Sequence, residues 1–130
     1  MTDDVKVLVL VADDNEGVRD TTAAILRAVG YAVIESQDGD AALAELAQNA
    51  FDILVLDVRM PKRDGISVVE NLSPEPPPPV IMMVSAYDLD LDLREHLGQR
   101  VFKYLKKPVP PKDLIDAVGQ ALDTQRSVSG

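Results

Sequence analysis

Residues 5–14 read VKVLVLVADD, a near-continuous run of valine and leucine that ends in two aspartates. One lysine interrupts the apolar residues, and this pattern is typical of a strand buried on both faces of a parallel sheet. Three later apolar runs also end at a polar residue, at Asp57, Ser85 and Lys107. Because the carboxyl ends of parallel strands face the same crevice, the sequence predicts that these side chains converge with the two aspartates on one site.

The rest of the chain alternates between strand-like apolar runs and segments with apolar residues at helical spacing. We predict strands at 5–11, 31–34, 51–56, 80–84 and 101–105, and helices at 15–29, 38–48, 65–72, 86–99 and 111–122. The proline-rich stretch 73–79 is predicted to be a stiff extended loop.

The segment 86–99 is open to two interpretations. Its leucines alternate with aspartates at the period of a strand, yet Leu89, Leu93 and Leu97 also form a helical stripe. Aspartate is rare in strands, and a parallel sheet requires a crossover at this point, so we favour a helix.

Five strands alternating with five helices predict right-handed crossovers and a doubly wound α/β domain, with a five-stranded parallel sheet and helices on both faces. The chain of 130 residues has the length of a single domain. We assign residues 1–124 to this domain and residues 125–130 to a short polar tail or a linker remnant.

Charge and composition restrict the classes of partner. The chain has 22 acidic and 13 basic residues and a formal net charge of -9, which argues against direct nucleic-acid binding. Its start is acidic, unlike a signal peptide, and no apolar run is long enough to span a membrane. It contains no cysteine, so a reducing compartment is allowed. We therefore predict a cytoplasmic protein without membrane association.

Three carboxylates are expected in the crevice, from Asp13, Asp14 and Asp57. Like charges at short range require a compensating cation, and a site with oxygen ligands alone favours a hard ion. Mg²⁺, which one or two carboxylates can hold, fits better than Ca²⁺. The alternatives are that Asp13 and Asp14 only cap the first helix and that Asp57 is only a turn residue.

A carboxylate beside Mg²⁺ can act as a nucleophile toward phosphorus and form an acyl phosphate. A hydroxyl from Ser85 and an ammonium from Lys107 would then bind the other phosphoryl oxygens. The alternatives are a strand-end serine and a solvated lysine. Lys106 is a rival for the ammonium role, and we rank it second because Lys107 directly precedes Pro108.

Taken together, these residues resemble the receiver domain of two-component response regulators over about residues 5–124. The motifs that carry the resemblance are DD at 13–14, LDVRMPKRDG at 56–65, SA at 85–86 and KP at 107–108. The resemblance implies a flavodoxin-like (βα)5 fold. It also implies a signalling module, rather than an enzyme, that accepts a phosphoryl group from the phosphohistidine of a histidine kinase or phosphotransfer protein.

The resemblance also implies roles for individual residues. Asp57 would be the phosphoacceptor, and Asp13, Asp14, Asp57 and the backbone carbonyl of Arg59 would hold Mg²⁺. Ser85 and Lys107 would bind the phosphoryl group, with Lys107 joined to the next residue by a cis peptide bond.

Tyr104 matches the switch aromatic of the family. By the resemblance, Ser85 moves toward a phosphoryl group and Tyr104 turns inward behind it, which remodels the surface of helix four, strand five and helix five. That surface would control a downstream partner or an output domain, and it could form a homodimer that depends on phosphorylation. The alternative for Tyr104 is an ordinary half-buried strand aromatic.

Some positions depart from the pattern. Arg100 and Val101 stand where many members carry Gly-Ala, so the loop after helix four should be bulkier. Arg59 and Tyr87 lie two residues beyond Asp57 and Ser85, where their side chains can obstruct an attacking water. We therefore hypothesise slow autodephosphorylation.

Two other functions are compatible with an aspartate at the end of a buried strand. A phosphatase of the haloacid-dehalogenase kind needs a general acid two residues after its nucleophile, and Arg59 cannot serve as one. An unphosphorylated interaction scaffold of the same fold is the remaining alternative. His96, the only histidine, is interpreted as a solvated helix residue rather than a phosphodonor.

Overall fold

The computed structural model of the protein describes residues 6–73 and 78–129, with residues 125–129 described by their backbone alone. The strands in this part are β1 (Leu8–Ala12), β2 (Ala32–Ser36), β3 (Ile53–Asp57), β4 (Val80–Ser85) and β5 (Lys103–Lys106). The helices are α1 (Glu16–Val29), α2 (Gly39–Gln48), α3 (Gly65–Asn71), α4 (Leu91–Leu97) and α5 (Pro111–Ser129), and a single 3₁₀ turn spans Gly98–Arg100.

The strands form one parallel sheet in the order β2-β1-β3-β4-β5. The chain runs from β1 outward to β2, and then returns past β1 to continue through β3, β4 and β5. This reversal leaves a crevice at the carboxyl ends of β1 and β3, which is the usual ligand site of a doubly wound sheet. The predicted fold class is confirmed.

Helices cover both faces of the sheet. Val9 and Val11 of β1 pack in a core cluster with α1 and α5 residues such as Leu26 and Val118. The intervening Leu10 packs in a second cluster with residues of α2, α3 and α4. Because successive side chains of a strand point to opposite faces, a run that is apolar throughout is what a two-sided core requires.

The helix predicted at 86–99 is much shorter in the structure, where α4 covers only Leu91–Leu97. The Asp90 carboxylate caps it by accepting the N–H of Leu93 at 2.8 Å. Aspartate is a strong N-cap residue and a poor helix-interior residue, so the chain begins the helix at the second of its three aspartates. The residues between Ser85 and Asp90 form a loop at the crevice instead.

Other boundaries also differ from the prediction. β1 begins at Leu8, whose N–H bonds to the Asp52 carboxylate at 2.9 Å. The last helix, predicted to end at Leu122, continues to Ser129. Of the predicted proline-rich loop, residues 74–77 lie outside the described part of the chain. Within the described residues, no helix has both the length and the apolar character that a membrane span requires.

Gly65 allows the start of α3 to pass against the end of β3. A Cβ at this position would lie 2.4 Å from the backbone oxygen of Asp57. Gly65→Ala is therefore expected to destabilise the fold by about 1–3 kcal/mol through overpacking, as measured by urea unfolding. Gly119→Ala is the control, since a Cβ there meets nothing within 4 Å. It should leave stability unchanged or raise it, and equal stability of the two variants would contradict the close approach.

Candidate functional site

The polar residues at the strand ends meet in one crevice. Asp13 follows β1, Asp57 ends β3, and Lys107 follows β5. The Lys107 Nζ donates to Asp13 Oδ2 at 2.8 Å and lies 3.4 Å from Asp57 Oδ2, although Asp13 and Lys107 are 94 positions apart. The convergence that the sequence predicted is therefore present for these three residues.

Asp14 joins Asp13 and Asp57 in a carboxylate cluster. One oxygen from each residue lies within 4.8 Å of the others, with Asp13 and Asp57 buried and Asp14 exposed. Three carboxylate oxygens of this spacing, without sulfur or nitrogen donors, suit a hard divalent cation.

Helix capping does not account for these aspartates. The N-cap of α1 is Asn15, whose side chain accepts the N–H of Val18 at 3.0 Å. Asp13 lies two residues before the cap and accepts the Asn15 N–H at 2.9 Å. The capping alternative for Asp13 and Asp14 is therefore wrong.

The environment of Asp57 disfavours its charge. Burial, followed by the negative charge of Asp13, raises the pKa of Asp57 from 3.8 to about 6, although Lys107 and the Arg59 N–H act in the opposite direction. The Arg59 N–H lies 3.4 Å from Asp57 Oδ1. Near neutral pH this carboxylate is ionised for most of the time, but it lacks the stabilisation of an exposed aspartate.

Lys107, and not Lys106, provides the ammonium group of the site. Burial lowers the pKa of Lys107, but its contacts with Asp13 and Asp57 outweigh burial and hold the pKa above its ordinary value. Lys106 is 61% exposed and lies 3.5 Å from Asp88 at the rim. The Lys107 N–H also bonds to the Ser85 carbonyl at 2.8 Å, and the Lys107–Pro108 peptide bond is cis, as the resemblance predicted.

Ser85 is buried at the end of β4, and its hydroxyl oxygen accepts the N–H of Tyr87 at 3.1 Å. The structure brings Asp13, Asp57 and Lys107 into mutual contact, whereas the Ser85 hydroxyl contacts the loop before α4. Ser85 lies at the predicted strand end, and its contact with a phosphoryl group stays a prediction.

Arg59 and Tyr87, predicted to overhang the site, also contact each other. The Arg59 guanidinium lies 4.7 Å from the centroid of the Tyr87 ring, and Tyr87 is largely exposed. Such a cation–π contact joins the loop after β3 to the loop after β4. This pairing cannot be inferred from the sequence, because the two residues lie on different loops.

Tyr104 forms another cation–π pair, with Arg94, which the sequence pattern does not reveal. The Arg94 guanidinium of α4 lies 4.5 Å from the ring centroid, and the Tyr104 hydroxyl is buried with no hydrogen-bond partner among the described residues. Burial raises the pKa of Tyr104. A cavity of about 60 Å³ is lined by Ser85, Arg94 and Tyr104 together with residues of the neighbouring loop.

A larger groove of about 720 Å³ opens beside Asp57. Its lining residues include Val18, Thr22 and Ile25 of α1, and Val109 after β5. His96 lies elsewhere, on the exposed side of α4, where its Nε2 is 2.8 Å from the Glu70 carboxylate of α3. This position agrees with the interpretation of His96 as a solvated helix residue.

Comparison with known proteins gives one family. A family model described as a response regulator receiver domain matches residues 9–119. The chain is 30% identical over 122 residues to the transcriptional regulatory protein PdtaR of Mycobacterium tuberculosis (strain CDC 1551 / Oshkosh), a match that covers 93% of this chain and 59% of PdtaR. It is 33% identical over 109 residues to the probable transcriptional regulator ycf27 of Guillardia theta, which covers 84% of this chain and 42% of that protein. The chain thus spans about half the length of these relatives.

Solved structures agree with this assignment. The CheY-like response regulator receiver domain protein of Methanospirillum hungatei JF-1 has a TM-score of 0.85 at 26% identity, with coverage of 94% of this chain and 98% of that one. For the chemotaxis response regulator CheY4 of Vibrio cholerae the TM-score is 0.81 at 25% identity, with coverage of 90% and 99%. The chain that carries the Asp57–Lys107 crevice belongs to the response regulator receiver domain family.

Proposed function

We propose that this protein accepts a phosphoryl group on Asp57 and converts it into a change at a protein-binding surface. The observation that carries the proposal is the contact group at the crevice, where Lys107 bonds to Asp13 and lies 3.4 Å from Asp57, with Asp14 alongside. Phosphoryl transfer requires a nucleophile and positive charge beside it. The buried Asp57 carboxylate can provide the first, and the Lys107 ammonium and a cation bound at the exposed Asp14 can provide the second.

In the proposed reaction an Asp57 carboxylate oxygen attacks phosphorus, the bond from phosphorus to the donor imidazole nitrogen breaks, and an acyl phosphate forms. The Lys107 ammonium stabilises negative charge on the phosphoryl oxygens. Asp13, Asp14, Asp57 and the Arg59 carbonyl would hold Mg²⁺, which when bound neutralises further charge on those oxygens. Ser85 would donate its hydroxyl to the phosphoryl group.

The groove beside α1 is the proposed docking surface of the phosphodonor, a histidine kinase or phosphotransfer protein. It is lined mainly by apolar side chains and has Asp57 and Lys107 among its lining residues. An apolar helical surface of the donor would bury Val18 and Ile25 and bring its phosphohistidine to Asp57.

The proposed output surface is formed by α4, β5 and α5. If Ser85 turns toward a phosphoryl group, its contact with the Tyr87 N–H would lengthen or break, which would loosen the loop before α4. Tyr104 and Arg94 connect that loop region to β5 and α4. The surface would control a downstream partner, an output domain of a longer protein or a phosphorylation-dependent homodimer, in the cytoplasm and without direct contact of this domain with nucleic acid.

The test is incubation with Mg²⁺ and acetyl phosphate followed by intact-mass measurement. We expect a Mg²⁺-dependent gain of one phosphoryl group, absent in Asp57→Asn and retained in Asp88→Asn, a matched change of an exposed crevice carboxylate. Absence of the adduct in the unchanged protein under all conditions would refute the proposal and favour an unphosphorylated interaction scaffold.

The Arg59–Tyr87 contact is expected to lengthen the lifetime of the acyl phosphate. Arg59→Ala and Tyr87→Ala are each expected to speed hydrolysis about two- to fivefold, the factor that corresponds to an exposed cation–π contact of about 0.5–1 kcal/mol. Loss of either partner frees the other to move away from the path of water. Decay of the phosphorylated protein, followed by mass after removal of the donor, provides the measurement.

The double variant distinguishes a joint cover from two separate obstacles. If the two side chains act as one cover, the double variant should hydrolyse about as fast as the faster single variant. Asp88→Asn serves as the control beside Tyr87. An unchanged lifetime in both single variants would contradict the hypothesis of slow autodephosphorylation by obstruction.

A further inference from the structure

Arg19 of α1 connects the acidic crevice to β2. Its Nη1 donates to the backbone carbonyl of Asp13 at 2.9 Å, and its Nε lies 3.5 Å from Glu35 Oε1. The Arg19 side chain is only 14% exposed, so it is held in place by packing as well as by its polar partners. A largely enclosed guanidinium with donors directed at two oxygens acts as a support rather than as a solvated charge.

Each polar group of Asp13 has a hydrogen-bond partner, and Arg19 is the partner of its backbone carbonyl. The Asp13 N–H bonds to the Ser36 carbonyl at 3.1 Å, and Oδ1 accepts the Asn15 N–H at 2.9 Å. Oδ2 accepts the Lys107 ammonium at 2.8 Å. Entry of a cation would compete with the Lys107 contact, whereas the backbone contact to Arg19 can persist.

We propose that Arg19 is a positioning residue of the cation site, holding the Asp13–Asp14 turn in the shape that directs both carboxylates toward Asp57. This inference rests on the proposed function, because it assigns a support to the site where Mg²⁺ would bind. The support acts through the main chain, as an outer partner that orients the groups which contact a metal.

The direction in which Mg²⁺ affinity changes on loss of Arg19 distinguishes a positioning role from a purely electrostatic one. Arg19 is a positive charge beside an acidic cluster, so its removal would by Coulomb attraction alone tighten the binding of a cation. Loss of a support has the opposite effect, because the freed turn must be ordered again when the cation binds. We expect the second effect to dominate, since Glu35, which pairs with both Arg19 and Arg27, offsets part of the charge of Arg19.

Arg27 provides a matched control. It lies on the same helix and bonds to the same Glu35 carboxylate at 3.1 Å, but its backbone contact is with the Val33 carbonyl, away from the aspartates. Arg19→Gln and Arg27→Gln therefore remove the same charge and the same type of ion pair. Only Arg19→Gln removes the contact with Asp13.

The experiment is a calorimetric titration of the full chain with Mg²⁺ alone, together with the Mg²⁺ dependence of phosphorylation by acetyl phosphate. Arg19→Gln is expected to weaken Mg²⁺ binding roughly tenfold, the range seen when an outer partner of a metal site is lost. Its half-saturating Mg²⁺ concentration should rise by the same factor, while the rate at saturating Mg²⁺ stays close to that of the unchanged protein. Arg27→Gln should match the unchanged protein in both measurements.

Unchanged or tighter Mg²⁺ binding in Arg19→Gln would overturn the inference, and so would equal weakening in Arg27→Gln. If Arg19→Gln does not fold, Arg19→Lys takes its place under the same criteria, because a single ammonium cannot reach both oxygens as the guanidinium does. Failure of the unchanged protein to bind Mg²⁺ would refute the proposed function as well. Equal Mg²⁺ binding by the unchanged protein and by Arg19→Gln would refute only the role of Arg19.

Discussion

Lys107→Met is expected to lower the rate of Asp57 phosphorylation by about 100- to 1,000-fold, the usual cost of removing one charged or hydrogen-bonding donor from a developing oxyanion. The Lys107 ammonium lies 3.4 Å from Asp57 and is held there by Asp13. It is therefore in position to meet a phosphoryl group without reorganisation of the backbone. The measurement is the initial rate of acyl phosphate formation from acetyl phosphate at saturating Mg²⁺.

Lys106→Met is the matched control for this variant. It removes the same charge from the adjacent residue, whose side chain points to Asp88 at the rim rather than to the carboxylates. We expect a rate close to that of the unchanged protein. Equal losses in the two variants would mean that general positive charge near the crevice, and not the placement of Lys107, supports the reaction.

A further comparison tests how Lys107 acts. Lys107 is one of the groups that lower the pKa of Asp57, so its loss also reduces the fraction of ionised nucleophile. Repeating the measurement at alkaline pH restores ionisation but not the missing ammonium. The rate of Lys107→Met should recover only in small part, and full recovery would assign Lys107 a role in ionisation alone.

The fold and the strand-end residues could be predicted because buried parallel strands impose a simple pattern. A strand covered by helices on both faces must be apolar throughout, so the first polar residue after it marks the crevice. Asp13, Asp57 and Ser85 were each found in this way, and each lies at the expected strand end.

The choice between Lys106 and Lys107 shows what the sequence leaves open. Both follow the same apolar residues, and only the alternation of side chains at the end of β5 and the turn at Pro108 decide which ammonium enters the crevice. The position before proline favours Lys107, and in the structure the Lys107 Nζ lies 2.8 Å from Asp13 Oδ2.

The arginine contacts could not be predicted at all. Arg19 and Arg94 resemble solvated surface residues in the sequence, and the overhang predicted for Arg59 named no contact partner, because the partners come from other elements. Arg94 reaches Tyr104 only when α4 packs beside β5, and the extent of α4 was itself mispredicted. Contacts of this kind depend on tertiary geometry, which local periodicity does not encode.

Asp57→Asn is expected to stabilise the metal-free fold at neutral pH. The pKa of Asp57 is about 6 in the folded protein against an ordinary value of 3.8, so between about pH 4 and pH 6 the folded state binds a proton that the unfolded state has released. Stability therefore falls as pH rises through this window and stays reduced above it. The raised pKa of Asp57 already includes the attraction of Lys107. Neutralising Asp57 therefore removes the cost of burying its charge, even though the contact with Lys107 is lost.

The measurement is urea unfolding of both proteins with EDTA across this pH range. At neutral pH Asp57→Asn should be more stable by about 1–2 kcal/mol, a value reduced from the full shift because the crevice admits solvent. The difference should shrink toward pH 4, where both side chains are neutral, and the exposed Asp88→Asn serves as a control for the loss of one surface carboxylate. A difference independent of pH would show that Asp57 is not under electrostatic strain. A difference that falls between about pH 6 and pH 4 would mean that the unmodified site disfavours the negative charge of Asp57. A cation held by the three aspartates should then stabilise the unchanged protein more than it stabilises Asp57→Asn.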